Sequence, residues 1–158
     1  MLAGWSILGA VLVSLVVSWY VYDGSGLYEF TFLKGIQLPA NARILNIHSG
    51  FDESSPIIRG LFPEASLVVL DFYDPDRHTE PSIRRARQKY PASGSRSIRT
   101  MEIGEAQESA HLVILFFAAH EIRDTRERSL FFQQLTGLLV TSSRIINTIT
   151  RILSLIHI

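Results

Sequence analysis

The sequence predicts an α/β domain built on an open, mostly parallel sheet, preceded by one apolar helix. Three observations predict it. Leu2–Tyr22 (LAGWSILGAVLVSLVVSWYVY) runs for 21 residues without a charge. From Ala42 onward, short apolar runs alternate with capped or amphipathic segments, the pattern of βαβ units with right-handed crossovers. Polar residues gather just past two of those apolar runs, at Asn46–Asp52 and at Asp71.

The bulk composition sets outer limits. The 158 residues amount to one ordinary domain. Basic and acidic residues balance at 15 each, which removes the electrostatic case for nucleic acid, and no nucleic-acid partner is expected. The absence of cysteine excludes disulfides and cysteine-based zinc sites and fits a reducing compartment.

The apolar helix comes first. At 1.5 Å per residue, Leu2–Tyr22 makes a rod of roughly 31 Å, enough to cross a bilayer core. Trp5 lies near one end, and Trp19, Tyr20 and Tyr22 crowd the other, as in an interfacial aromatic belt. A secretory signal would need a basic start and a shorter apolar stretch. A buried helix is the bland alternative, but apolar residues on every face do not suit a surface helix. We read residues 1–22 as a single transmembrane helix, with the lipid bilayer as the partner of residues 2–22. Lys34 and Arg43 follow it and no basic residue precedes it, which places the C-terminal side in the cytoplasm. Residues 23–41 form a juxtamembrane connector.

The remaining elements follow in order. ARILNI is a buried strand. In SSPIIRGLF, a serine is the expected N-cap and Pro56 sits in the first turn, with Ile57, Ile58 and Leu61 facing inward. ASLVVLDFY is a second strand, apolar on both faces as far as Asp71. TEPSIRRARQKY is a helix with Ile83, Ala86 and Tyr90 on one side and the arginines on the other. SIRTMEI is the third strand and HLVILFFAA the fourth, continuous enough for the centre of a parallel sheet. DTRERSLFFQQLTGLL opens with Asp124 and Glu127 at capping-box spacing. RIINTIT is the fifth strand.

Ligands of open parallel sheets bind beyond the carboxyl ends of the strands. The first strand ends in Asn46, His48, Ser49, Gly50 and Asp52. Gly50 lies 21 residues before Asp71, an offset at which a carboxylate can accept both hydroxyls of a ribose. The alternative for Asp71 is a turn or cap role in DFYDPD, and for Gly50 a plain strand-to-helix turn. A phosphate fingerprint is absent, since one glycine stands alone beside Asp52 and Glu53. Two acids there suit a cofactor that carries positive charge and no phosphate, such as S-adenosylmethionine.

On these residues the chain resembles a class I S-adenosylmethionine-dependent methyltransferase, the small bacterial type with an N-terminal membrane segment. The resemblance covers Ala42 to about Thr150. It rests on ILNIHSGFDESSP as cofactor loop, VVLDFYDP as acidic second strand, VILFFAAHEIRD as fourth strand, and RERSLFFQQLTGLLVTSSRII as the helix and turn into the fifth. The sequence departs from the family where Asn46, His48 and Phe51 replace an acid and two glycines, and where Thr141, Ser142 and Ser143 replace Pro-Gly-Gly. The resemblance implies a Rossmann-like sheet of order 3-2-1-4-5 with later strands missing, residues 42–152 being a partial methyltransferase domain. It also implies that Asn46, His48, Ser49 and Gly50 line the methionine end of S-adenosylmethionine. Asp71 holds the ribose, Phe72 packs near adenine, Glu102 meets the adenine amine, and Phe117 to His120 face the methyl group.

His120 is the one candidate for a catalytic side chain, against a capping or loop role. AAHEIRD falls short of a metal-binding His-Glu-x-x-His because position 124 is Asp, so no metal is expected. RRARQK reads as a solvated face, or as a contact to anionic lipid. The acceptor is a small molecule, a lipid, a quinone or a protein. The implied function is a membrane-anchored methyltransferase; the alternatives are a catalytically inactive membrane-bound interaction module and, third, a nucleotide-dependent oxidoreductase. Residues 153–158, LSLIHI, match in all six positions the translation of a transposon-end sequencing adapter, CTG TCT CTT ATA CAC ATC, with a natural helix tail as the alternative. We read them as an artefact, which would make this an incomplete, inactive piece of a longer protein.

Overall fold

The computed structural model describes residues 2–78, 81–91 and 94–147. Thr79 and Glu80, Thr148–Thr150 of the expected fifth strand, and the LSLIHI ending lie outside the described residues. The chain divides into two units, Met1–Gln37 and Leu38–Ile158.

In the first unit α1 spans Leu2–Trp19 and passes into a π-helical turn at Tyr20–Gly24. The stretch Leu2–Tyr22 is therefore helical throughout, as its apolarity predicts, but its last turn is widened. Ser25 Oγ donates back to the Val21 carbonyl at 2.7 Å, the kind of local competition that ends a regular helix. Trp5–Gly24 is long and apolar enough to cross a membrane, with none of that window buried. A short 3-10 turn, Thr31–Leu33, lies in the connector.

The second unit is a five-stranded sheet: β1 (Arg43–His48), β2 (Ser66–Asp71), β3 (Arg96–Ser97), β4 (Ala110–Leu115) and β5 (Leu139–Asn147). The strand order is β3-β2-β1-β4-β5 and every pairing is parallel. β1 and β4 occupy the centre because they can be buried on both faces: Leu45, Ile47, Val113 and Leu115 join one core, and Ile44, Leu112 and Ile114 alternate with them, equally buried. α4 (Thr125–Leu138) covers the first face through Phe131, Leu135 and Leu138, spaced for one helical stripe. α2 (Ser55–Leu61) and α3 (Pro81–Lys89) complete the crossovers.

Four local expectations change. Ser54 stands at the N-cap of α2, but its side chain makes no cap bond and Asp52 takes that role. Asp52 Oδ1 accepts the backbone N–H groups of Ser54 (3.1 Å) and Ser55 (2.9 Å), which frees the Ser54 hydroxyl for Asn46. The third strand is much shorter than SIRTMEI, because only Arg96 and Ser97 pair with β2 before the chain turns back through an Arg99–Glu102 bridge. β5 begins at Leu139, directly at the end of α4 and without a turn. Its register on β4 shifts between Ala110–Leu139 and Leu112–Arg144, and this absorbs Thr141–Ser143 into the strand. Just past α3 Tyr90 is exposed, while on the helix Arg87 is drawn inward, the reverse of their hydropathy, because an acid waits below the helix. Asp124 does cap α4, accepting from the Glu127 N–H at 2.7 Å.

Candidate functional site

The site is assembled where β1 and β2 end side by side, His48 in register with Asp71. After His48 the chain turns sharply at Gly50, whose φ of +94° is costly for any residue with a Cβ. A Cβ there would also meet Ile83 Cγ2 and Tyr73 Cδ2 at 2.8 Å each, so glycine is required by both conformation and space. The Gly50 N–H points across the strand ends and donates to Asp71 Oδ1 at 2.8 Å. The turn in HSGFDE is thus held by the acid of the neighbouring strand.

Asp71 is almost fully engaged. Its Oδ1 also accepts the Tyr73 N–H (2.9 Å), and its Oδ2 accepts Arg87 Nη1 at 2.6 Å. The same Arg87 nitrogen donates to the Gly50 carbonyl at 3.0 Å, and the guanidinium lies 4.4 Å from the centre of the Tyr73 ring.

Asn46, fully buried, is committed to the segment that follows β1. Its Nδ2 donates to Asp52 Oδ1, Ser54 Oγ and Ser55 Oγ at 3.1, 2.8 and 2.9 Å, and its Oδ1 accepts from Ser54 Oγ. It ties β1 to the start of α2. His48 and Ser49 differ: both are buried, and neither ring nitrogen of His48 nor the Ser49 hydroxyl has a hydrogen-bond partner. Asp71 Oδ1 is 3.6 Å from His48 Nδ1, too far for a bond. Burial lowers the His48 pKa from its ordinary 6.5, against the opposing pull of Asp71 and Asp52, with Arg87 adding to the lowering. The imidazole is therefore neutral, one nitrogen a donor and the other an acceptor.

Two of the cavities at these strand ends border the predicted site residues. The smaller, about 180 Å³, is lined by His48, Ser49, Glu53, Phe117 and Glu121 among others. Phe117 has φ +50°, an outlier for a bulky residue, just past the end of β4. The larger, about 650 Å³, lies past β2 and β3 and reaches the start of α4. Its floor includes Phe72, which packs on Phe131 (ring centroids 5.7 Å apart), and its polar wall includes Glu127. Arg77 Nη1 donates to both oxygens of Glu127, at 2.7 and 2.9 Å, and Thr100 Oγ1 donates to the same carboxylate. Glu121 belongs to the walls of both cavities.

The structure thus brings His48, Ser49, Gly50, Asp71, Phe72 and Phe117 to one end of the sheet. Glu102 is apart from them, exposed, in the turn it shares with Arg99, and lines neither cavity. His120 is also exposed, its Nε2 3.0 Å from Glu121 Oε1. No cluster of metal-ligating side chains occurs among the described residues. Sequence reasoning missed Arg87, which was indistinguishable from its neighbours in RRARQK; the one available signal was its position four residues after Ile83, on the inner stripe.

The described sheet, in order and direction, matches solved proteins at low identity. One is the YcgJ protein of Bacillus subtilis: TM-score 0.50, 14% identity, over 77% of this chain and 49% of that one. Another lies in the complex between the Haloferax volcanii Trm112 methyltransferase activator and the candidate methyltransferase paired with it: TM-score 0.50, 11% identity, over 81% of this chain and 57% of that one. The fold is the Rossmann-like fold of class I methyltransferases. A third match is an S-adenosylmethionine-dependent methyltransferase of Aquifex aeolicus, with TM-score 0.47 and 13% identity over 79% of this chain and 66% of that one. The chain spans about half the length of the first two structures. No family model and no curated protein matches it.

Open parallel sheets bind ligands beyond the carboxyl ends of their strands, the edge on which His48 and Asp71 stand in register here. The donor set suits a cationic, hydroxyl-bearing molecule better than a phosphate. Asp52 and Glu53 occupy the turn into α2, where a phosphate would need bare N–H groups, and Asp52 has already taken two of them.

Proposed function

We propose that the chain carries the cofactor-binding part of an S-adenosylmethionine-dependent methyltransferase held to a membrane by residues 2–22. The observation that supports this most is the Asp71 carboxylate at the end of β2, bonded to the Gly50 N–H at the end of β1, with a cavity beside each strand end. The domain would run over 42–152, after a connector at 23–41. The match to the chain in the Trm112 complex agrees with it.

In this reading His48, Ser49 and Gly50 border the methionine end of the cofactor, and Glu53 and Glu121 supply negative charge facing its sulfonium. Asp71 accepts the ribose hydroxyls. Phe72 floors the larger cavity, where the adenine would lie against an apolar surface with Thr100 and Glu127 on its polar edge. Bound S-adenosylmethionine supplies the electrophilic methyl group. The protein's own part is alignment and exclusion of water, which can lower a barrier by roughly 7–11 kcal/mol without a catalytic side chain. His120, exposed and close to Glu121, is the candidate for a contact to the acceptor. The acceptor class is a small molecule or a lipid, the second suiting a tethered domain. Asn46 acts in this reading as a brace for the loop.

A second reading is an inactive membrane-bound interaction module. It is favoured by the way both Asp71 oxygens are already satisfied by Gly50, Tyr73 and Arg87. Calorimetric titration of the full chain in detergent with S-adenosylmethionine separates the two. Saturable binding that Asp71→Ala weakens by about 1.5–3 kcal/mol supports the enzyme reading. Absence of binding leaves the interaction module.

A further inference from the structure

We propose that Arg87 is a built-in occupant of the ribose subsite and the residue that decides which ligands enter it; the inference rests on the methyl-donor reading of that site. Asp71 has one carboxylate oxygen, Oδ2, that accepts no backbone N–H, and Arg87 holds it at 2.6 Å. The guanidinium does not reach there as a loose surface charge. It is also bonded to the Gly50 carbonyl and stacked over Tyr73. The helix that carries it touches the turn at three points in one stripe: Ile83 against Gly50, Arg87 on Asp71 and the Gly50 carbonyl, and Tyr90, just past the helix end, on Phe51 at 5.6 Å.

The helix itself is weakly held. None of α3's residues is fully buried, whereas α4 buries three. Its seat is therefore the turn, and its ion pair is partly solvated, Arg87 being 31% exposed. A pair of this kind is strong enough to fill the site and weak enough to exchange. A ligand that enters must replace a charged donor on Asp71 Oδ2 with donors of its own. A vicinal diol does so, because hydroxyls donate; a sugar that lacks those hydroxyls has nothing to offer Asp71 and leaves the ion pair in place. Arg87 thus acts as a selectivity filter for a ribose diol and sets an opening cost on α3 for every ligand that takes Asp71 Oδ2 as its acceptor.

The test is calorimetric titration of the full chain in detergent with S-adenosylhomocysteine, adenosine and 2′,3′-dideoxyadenosine. Wild type is compared with Arg87→Ala and Arg87→Gln, with circular dichroism confirming that each variant is folded. The longer glutamine side chain serves if alanine unseats α3. Loss of the competing ion pair should tighten S-adenosylhomocysteine and adenosine by about tenfold and leave the dideoxy compound unchanged. Raising salt from about 0.05 to about 0.5 M should tighten the wild type towards the variants, because the partly exposed pair is screened. Equal or weaker binding of the two ribose ligands in both variants overturns the inference while wild-type binding keeps the cofactor reading alive. Tightening that includes the dideoxy compound also overturns it. If no form binds S-adenosylhomocysteine, the cofactor reading fails and the inference falls with it.

Discussion

Replacing Asn46 with aspartate changes one NH₂ group into an oxygen and should expose how the start of α2 is held. The Asn46 Nδ2 donates to Asp52 Oδ1 at 3.1 Å and to the hydroxyls of Ser54 and Ser55. The two hydroxyls can rotate and donate to a carboxylate instead. Asp52 cannot, since it already accepts from two backbone N–H groups and has no proton to give. Two carboxylates about 3 Å apart repel by roughly 5 kcal/mol at an effective dielectric near 20. Asp52 is half-buried, so solvent reduces that figure, and a net loss of about 2–3 kcal/mol at neutral pH is expected. The protein can escape by keeping the new carboxyl protonated, which raises its folded pKa above the unfolded value of about 3.9. An acid with a raised folded pKa costs stability above that pKa and ceases to do so as the pH falls to the unfolded value. The deficit relative to wild type should therefore shrink from about pH 7.5 to about pH 4.5. Asn46→Ala, which strips bonds from Asp52 and two buried hydroxyls but adds no carboxyl, should lose about 1–3 kcal/mol without a deficit that closes on acidification. Urea unfolding followed by near-ultraviolet circular dichroism of the tyrosines measures both, with wild type run at each pH so that shared acid effects cancel. An Asn46→Asp protein as stable as wild type at neutral pH, or a deficit that does not change with pH, would refute the network.

Three further outcomes are expected. Gly50→Ala should lose about 2–4 kcal/mol, from a positive φ and the contacts its Cβ would make with Ile83 and Tyr73, and an unchanged melting temperature would show that the turn is not built as described. His48, its folded pKa lowered chiefly by burial, stays neutral while the unfolded residue protonates at 6.5; its contribution is intact above that pH and is lost as the pH falls through the folded value. Melting temperature should therefore decline on acidification below about pH 6.5, and His48→Gln should flatten that part of the profile, a parallel decline in both proteins refuting the assignment. Residues 2–22 should keep the chain in membranes through alkaline carbonate washing; Leu12→Arg with Leu15→Arg, at about 2.5–3.5 kcal/mol each in the bilayer centre, should release it, and retention of the double variant would argue against a span.

Much of this protein is written in local patterns. The uncharged run Leu2–Tyr22 is helical because nothing in it breaks a helix, and β1 and β4 are central because ILNI and HLVIL can be dry on both faces. The alternation of elements fits a parallel sheet of order 3-2-1-4-5, the position of Asp71 beside the Gly50 turn follows from spacing along two adjacent strands, and Asp124 announces the start of α4 by its own side chain. These are short-range properties, decided by period, caps and turns. Tertiary structure decided the rest. Which side chain caps α2 depended on a buried asparagine of β1 competing for the serine. How far β3 runs depended on how much of β2 was left to pair with it, and where β5 starts depended on the end of α4 and the register of β4. Arg87 is the sharpest case. In the sequence it is one of several cations on a solvated helix; in the fold its guanidinium is the partner of Asp71, and a charge's partner is set by the path of the whole chain and not by its neighbours in sequence.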